Sequence, residues 1–275
     1  MPLSISTNVA SMAAQRSFMS SNSALETAFE RLSSGKRINS SVDDAAGLAI
    51  GKDMESRVSG LNQAIRNTND GISMVQIAEG AMDEATNILQ RMRDLAVQAA
   101  NDSLATAERN YLETETDKLI TAFDAALDQA TFNGKDLIDT NANVSLTFQV
   151  GADNGDTLAV QIDSLSAAQL TVADSNIVLT SAANASTAIS RIDTALGVIY
   201  SDRASLGAIQ AQMESTVRNL SNVAENTAAA TGRIMDTDYA AETANLTKAQ
   251  ILQQAATSIL AQANAQPQSV LTLLQ

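Results

Sequence analysis

The chain has 275 residues, of which 3% are aromatic and none is His, Cys or Trp; 31 acidic side chains stand against 17 basic ones, for a formal net charge of −14. Without imidazole or thiol there is no material for a zinc centre, a Cys nucleophile or a Ser-His-Asp triad. No Asp-x-Asp-x-Asp-Gly calcium loop or Gly-x-x-x-x-Gly-Lys phosphate loop occurs either, so no catalytic residue, cofactor or metal site is expected.

The charge is unevenly placed. Residues 1–40 carry four basic and two acidic groups, and in residues 240–275 Glu242 and Lys248 cancel; the middle, 41–239, holds 12 basic against 28 acidic residues. An acidic middle of this kind reads as a solvated surface and lacks the clustered cations that nucleic acid requires, so no nucleic-acid partner is expected. No stretch approaches the roughly 18 apolar residues of a membrane span, and membrane insertion is not expected. Met1-Pro2-Leu3-Ser4-Ile5-Ser6 lacks the basic start and apolar core of a Sec signal. If the chain is exported, the expected route is one that cleaves no leader.

Near the N-terminus Phe18, Leu25 and Leu32 recur every seventh residue, and Phe29 fills the four-three step, which is the pattern of a helix seam. Ser33 to Ser41 interrupts that helix with polar, flexible residues, after which Asp43 or Asp44 is placed to cap a new helix ahead of Ala45. Met54, Val58, Leu61, Ile65, Thr68, Ile72 and Val75 then alternate steps of four and three. The seam resumes at Ala78, Met82, Ala85, Leu89, Met92, Ala96 and Ala99 after a stammer-like shift. Such a helix would run roughly 70 Å at about 1.5 Å per residue. Gly60, Gly71 and Gly80 each weaken it by about 1 kcal/mol relative to Ala, so packing must hold it.

Within this helix Arg91 and Arg93 cannot both join Leu89 and Met92 in the seam. Salt bridging to Glu115 or Asp94 is the favoured role, with binding to an external partner the alternative. A further helix is expected over about 106–130, with Leu112, Thr116, Leu119, Phe123, Ala126 and Ala130 on one stripe, stopped by Asn133-Gly134. Glu113, Glu115 and Asp117 alternate along it, do not share a face, and read as solvated.

Period two replaces period 3.6 at Val144, Leu146, Phe148 and Val150 and again at Leu158, Val160 and Ile162. The Asn154-Gly155 pair between them predicts a β-hairpin over 144–162, where Asp153 and Asp156 serve the turn. Residues 163–185 read as irregular or a short strand. A long helix follows over about 186–231 with Ile189, Ile192, Leu196, Ile199, Leu206, Met213, Val217, Leu220, Ala224 and Thr227 as its seam. Gly232 to Tyr239 forms a second joint. In the last segment Ala249, Leu252, Ala256, Ile259 and Ala263 run at 3–4–3–4 spacing, and Lys248 is the only charge after Thr243. Most methionines, including Met54, Met74, Met82, Met92 and Met213, fall on or beside seams and read as core filling.

The expected fold class is therefore mainly α, with long antiparallel helical rods or coiled coil, one β-hairpin, and the N- and C-terminal helices paired. The expected domains are a discontinuous inner domain, 1–40 with 240–275, and a helical rod domain, 41–239. Phe18, Leu25, Phe29, Leu32, Leu252, Ala256, Ile259 and Ala263 are the expected assembly seam.

The run Ala24-Leu25-Glu26-Thr27-Ala28-Phe29-Glu30-Arg31-Leu32-Ser33-Ser34-Gly35-Lys36-Arg37-Ile38-Asn39-Ser40, followed by Asp43-Asp44-Ala45-Ala46-Gly47, resembles the N-terminal signature of bacterial flagellin. Asn69-Asp70-Gly71-Ile72-Ser73 and the stretch Leu89 to Gln98 extend the resemblance. So do Ala249-Gln250-Ile251-Leu252-Gln253-Gln254-Ala255, Leu260-Ala261-Gln262-Ala263-Asn264 and the ending Val270-Leu271-Thr272-Leu273-Leu274.

The resemblance implies a non-enzymatic, secreted subunit that polymerises with itself into the extracellular flagellar filament for motility. It implies type III export, an export chaperone, and filament-cap and hook-junction proteins as partners. It also implies a short form, because residues 163–185 are too few for a variable outer domain. Toll-like receptor 5 recognises many members, and the matching positions are Leu89, Gln90, Arg91, Arg93, Leu95 and Glu115. The alternatives are a hook–filament junction protein and a surface-exposed ligand-binding protein.

Overall fold

The computed structural model describes residues 7–139 and 142–273, with side chains described through Gln266. Met1 to Ser6 and the side chains of Pro267 and of the ending Val270 to Leu274 lie outside the described residues. Five helices carry most of the chain: α1 (Val9–Ser34), α2 (Ala45–Ala99), α3 (Thr106–Asp128), α4 (Ala182–Met235) and α5 (Tyr239–Leu273). Four strands lie between α3 and α4, namely β1 (Thr131–Phe132), β2 (Lys135–Asp136), β3 (Val144–Gln149) and β4 (Thr157–Ile162). The chain divides into two compact units, Met1–Val58 with Glu225–Gln275, and Ser59–Ala224.

Local chemistry sets the helix ends. The Asn8 carboxamide oxygen accepts from the Ser11 N–H at 3.0 Å and caps α1, which stops where Gly35 turns left-handed at φ 70°. Of the two candidate caps for α2, Asp44 takes the role: its Oδ1 accepts from the Gly47 N–H at 2.9 Å. Asp43 instead closes the preceding turn by accepting from the Ser40 and Asn39 N–H groups. At the far end of α2 the buried Arg109 side chain donates to the Ala99 and Asn101 carbonyls, each at 2.9 Å. These are helix-end acceptors that would otherwise lack partners.

In the unit Ser59–Ala224 the seams read from the sequence are the core. Met82, Leu89, Met92, Phe123, Ile192, Ile199, Leu206 and Met213 are buried together, while on α3 Ile120 and Leu127 are buried and the expected Leu119 and Ala126 only partly so. A smaller cluster of Leu61, Ala64, Leu220 and Ala224 joins α2 to α4. The expected hairpin forms, with Val144 opposite Ile162 and Phe148 opposite Leu158. Gly71 makes room for it: a Cβ there would sit 3.1 Å from Met213 Cε and 3.2 Å from the Phe148 ring. Gly60 does the same for Ala152, at 3.2 Å.

Two expectations need correction. Asn133-Gly134 does not stop α3, which ends at Asp128; both residues take positive φ, 50° and 75°, and form the two-residue turn of a second, minimal hairpin that pairs β1 with β2. Residues 163–181 take the irregular of the two expected forms, with Leu165, Leu170, Val172, Ile177 and Leu179 buried in the main core, but α4 begins at Ala182, four residues before the expected start. The segment is a short packed strap rather than an outer domain. Among the described residues no helix is long and apolar enough to cross a membrane.

Candidate assembly interface

Helices α1 and α5 pack antiparallel. Their register shows at three levels, two of them hydrogen-bonded. Asn8 Nδ2 donates to the Ala263 carbonyl at 2.7 Å, Gln253 Nε2 to Asn22 Oδ1 at 3.1 Å, and Arg31 lies 3.9 Å from Glu242. Apart from Glu242, the buried residues of the two helices are small: Ala14, Ser21 and Ala28 on α1, and Ala249, Ala256 and Ala263 on α5. Both sets recur every seventh residue, so each helix presents one narrow stripe to the other.

A small-residue seam draws the backbones close and leaves the bulky side chains beside the contact. Phe18, Leu25 and Leu32 are half-buried along one edge of α1. Phe29 is 51% exposed, Leu252 48%, Ile259 56% and Met19 60%. Of the eight seam candidates only Ala256 and Ala263 are buried. The sequence reading followed the large residues and missed Ala14, Ser21 and Ala28. Their shared heptad spacing with the alanines of α5 was the available signal.

Below this pair, the two polar joints are hydrogen-bonded to each other. Lys36 and Asp236 form an antiparallel bridge, in which the Arg37 N–H donates to the Met235 carbonyl at 2.6 Å and the Thr237 N–H to Gly35 O at 3.0 Å. The Arg37 guanidinium also donates to Ile234 O at 2.6 Å. Ile38 and Met235 are buried here, and Met235 packs where Gly51 lacks a side chain. Lys36 and Lys52 each reach Glu55 at 2.7 Å, and the hydrogen bond from Lys36, ahead of that from Lys52, holds the Glu55 carboxyl below its ordinary pKa. The backbone N–H groups of Ser40 and Asn39 do the same for Asp43.

The second set of candidates lies on α2 and α3. Leu89 and Leu95 are buried in the core, whereas Gln90, Arg91 and Glu115 are exposed and Arg93 is half-exposed. Arg91 pairs with Glu115 at 2.6 Å, one of the two intramolecular partners read from the sequence, and Arg93 pairs with Asp193 of α4 at 2.6 Å. Asp117 departs from the solvated acidic stripe expected of it: burial, and then the Asp174 charge, raise its pKa.

Comparison with known proteins gives a consistent result. Residues 5–143 match the bacterial flagellin N-terminal helical region and residues 189–274 the bacterial flagellin C-terminal helical region. A flagellin of Halalkalibacterium halodurans is 41% identical over 271 residues, covering 98% of this chain and 99% of its own length. The flagellar filament 33 kDa core protein of Treponema phagedenis is 38% identical over 284 residues, covering 98% and 99%. A putative flagellar hook-associated protein from Vibrio parahaemolyticus superposes with a TM-score of 0.59 over 70% of this chain and 100% of its own, at 15% identity, a likeness of fold alone.

Proposed function

The chain belongs to the bacterial flagellin family, and from that premise we propose that it polymerises through its paired terminal helices as the structural subunit of a flagellar filament. The observation that carries this mechanism is the pairing of α1 and α5 through small residues, which leaves Met19, Phe29, Leu252 and Ile259 half-exposed or more. Burying the exposed half of one such side chain is worth about 1 kcal/mol. Several per copy, repeated against successive neighbours, favour an ordered polymer over a solvated monomer. A contact between the α1 face of one copy and the α5 face of the next is heterologous, and it grows into an open filament where the rotation between copies does not close.

On this reading residues 1–40 and 240–275 form the assembly domain and 41–239 the rod. The seam comprises Phe18, Leu25, Phe29, Leu32, Leu252, Ala256, Ile259 and Ala263. The subunit leaves the cell by type III export, accompanied by an export chaperone and guided by cap and hook-junction proteins, and serves motility in an extracellular filament. A 271-residue match that fills 99% of the Halalkalibacterium relative supports the short form, without an outer domain.

Adding sheared filament seeds to purified monomer tests the reading. Long helical filaments by electron microscopy are the expected result. Short rings alone would place the chain with hook–filament junction proteins instead. For Toll-like receptor 5 the proposed contact surface is Gln90, Arg91, Arg93 and Glu115, held in place from beneath by Leu89 and Leu95. A reporter-cell response to monomer is expected, and silence at all concentrations would remove this role.

A further inference from the structure

One groove between α1 and α5 is charged opposite to the chain as a whole. It has a volume of about 350 Å³ and is lined by Ser20, Arg31, Glu242, Asn245, Lys248 and Leu252 among others. Two cations thus face a single carboxylate, in a chain whose formal charge is −14. Even that carboxylate does not satisfy them. Arg31 reaches Glu242 only at 3.9 Å, beyond hydrogen-bond range, and its Nε is buried with no acceptor. Lys248, the one charged residue of α5 beyond Glu242, has no ion pair among the described residues. Asp43 of the nearby joint feels the Arg31 charge but accepts hydrogen bonds from the Asn39 and Ser40 N–H groups; the other carboxylates of the two helices are Glu26 and Glu30. They stand two residues either side of the buried Ala28, on the opposite face of α1, where Glu26 accepts from Asn22.

A buried guanidinium N–H without an acceptor is costly, and a half-enclosed pair of cations attracts an anion. We propose that this groove is a receptor for a carboxylate side chain from the acidic middle, residues 41–239, of a second copy of the chain. The inference rests on the reading of the protein as a filament subunit. The occupant follows from charge complementarity: the middle segment offers 28 acidic residues against 12 basic, and every copy carries both the groove and its complement. The ion pair adds direction to the apolar contacts, because a carboxylate entering beside Ser20 and Asn245 fixes one register of neighbour against neighbour.

Zero-length carbodiimide coupling of filaments grown from equal parts of nitrogen-15-labelled and unlabelled chains tests this. Mass spectrometry is expected to find mixed-isotope peptides that join Lys248 to an Asp or Glu within 41–239, present in filaments and absent from monomer. In parallel, Lys248→Glu is expected to raise the critical concentration for seeded growth about tenfold, while Lys248→Arg stays within about twofold of wild type. Wild-type filaments in which Lys248 is uncoupled, or coupled only to the C-terminal carboxylate, would overturn the inference. So would unchanged growth of Lys248→Glu. A wild-type chain that forms no filaments at all would instead overturn the filament reading, and this inference with it.

Discussion

Gly71 and Gly80 lie in the same helix with opposite surroundings. A Cβ at Gly71 meets Met213 and the Phe148 ring at 3.1–3.2 Å, while one at Gly80 meets nothing within 4 Å. Gly80→Ala is therefore expected to stabilise the monomer by about 1 kcal/mol through helix propensity alone. Gly71→Val forces the hairpin off α2 and should cost about 1–3 kcal/mol. Urea unfolding followed by circular dichroism checks both signs.

The Arg91–Glu115 pair is exposed on both sides, at 56% and 44%, so Arg91→Ala should change stability by less than about 1 kcal/mol. A lost receptor response in that variant would then report a contact rather than unfolding. Arg109 is the contrasting arginine, buried and bonded to two carbonyls at the end of α2. Arg109→Ala should cost about 2–3 kcal/mol in the same unfolding experiment. Nothing in the sequence marked Arg109, because its hydrogen-bond acceptors are backbone carbonyls and its ion-pair partner, Asp102 at 3.6 Å, lies in no motif.

At the scale of elements, carboxylates in the two units respond to acid in opposite senses. Burial, and then Asp163, raise the pKa of Asp202, whose Oδ2 is buried without a hydrogen-bond partner; burial and Asp174 likewise raise Asp117. A raised carboxyl pKa favours the protonated folded state, so this contribution is fully present below the ordinary value of 3.8 and is lost as pH rises through the folded pKa. Asp43 and Glu55 have lowered values, so their stabilisation is present above the ordinary 3.8 and 4.5 and is lost as pH falls through the folded ones. Asp202→Asn should therefore raise the melting temperature at pH 7 and remove the part of its pH dependence that Asp202 contributes as pH falls toward 3.8. Parallel shifts of parent and variant at both pH values would contradict the assignment.

The same scale explains what the sequence disclosed. Helix ends were legible where a side chain or glycine fixes them, as at Asp44 and Gly35, and seams where apolar residues recur, as from Leu61 to Ala99. The hairpin was legible through its alternation around Asn154-Gly155. The strap over 163–181 was legible as irregular but not as core, because Leu165, Leu170 and Ile177 bury themselves from backbone that has no period. The β1–β2 hairpin was missed because two-residue strands are too short to alternate, so Asn133-Gly134 matched a helix stop equally well. At the interface, bulky residues suggested the contact, whereas close approach of two helices selects small ones.

For the whole molecule, the large unit holds its core within one chain, from Met82 and Leu89 to Phe123 and Ile199. The terminal pair does not. Its inner stripe of alanines, one serine and Glu242 is buried in the monomer, while Met19, Phe29, Leu252 and Ile259 face outward. The two halves of the fold thus differ in where their burial is completed, and the central claim is that α1 and α5 complete theirs only against other copies. The chain has no cysteine, so a single reporter thiol at Ile259→Cys gives an unambiguous signal. Its maleimide labelling rate, compared between monomer and seeded filament, measures the claim directly. The account predicts rapid labelling in the monomer and at least about tenfold protection in the filament, as burial at a packed interface requires. Equal rates in the two states would contradict it.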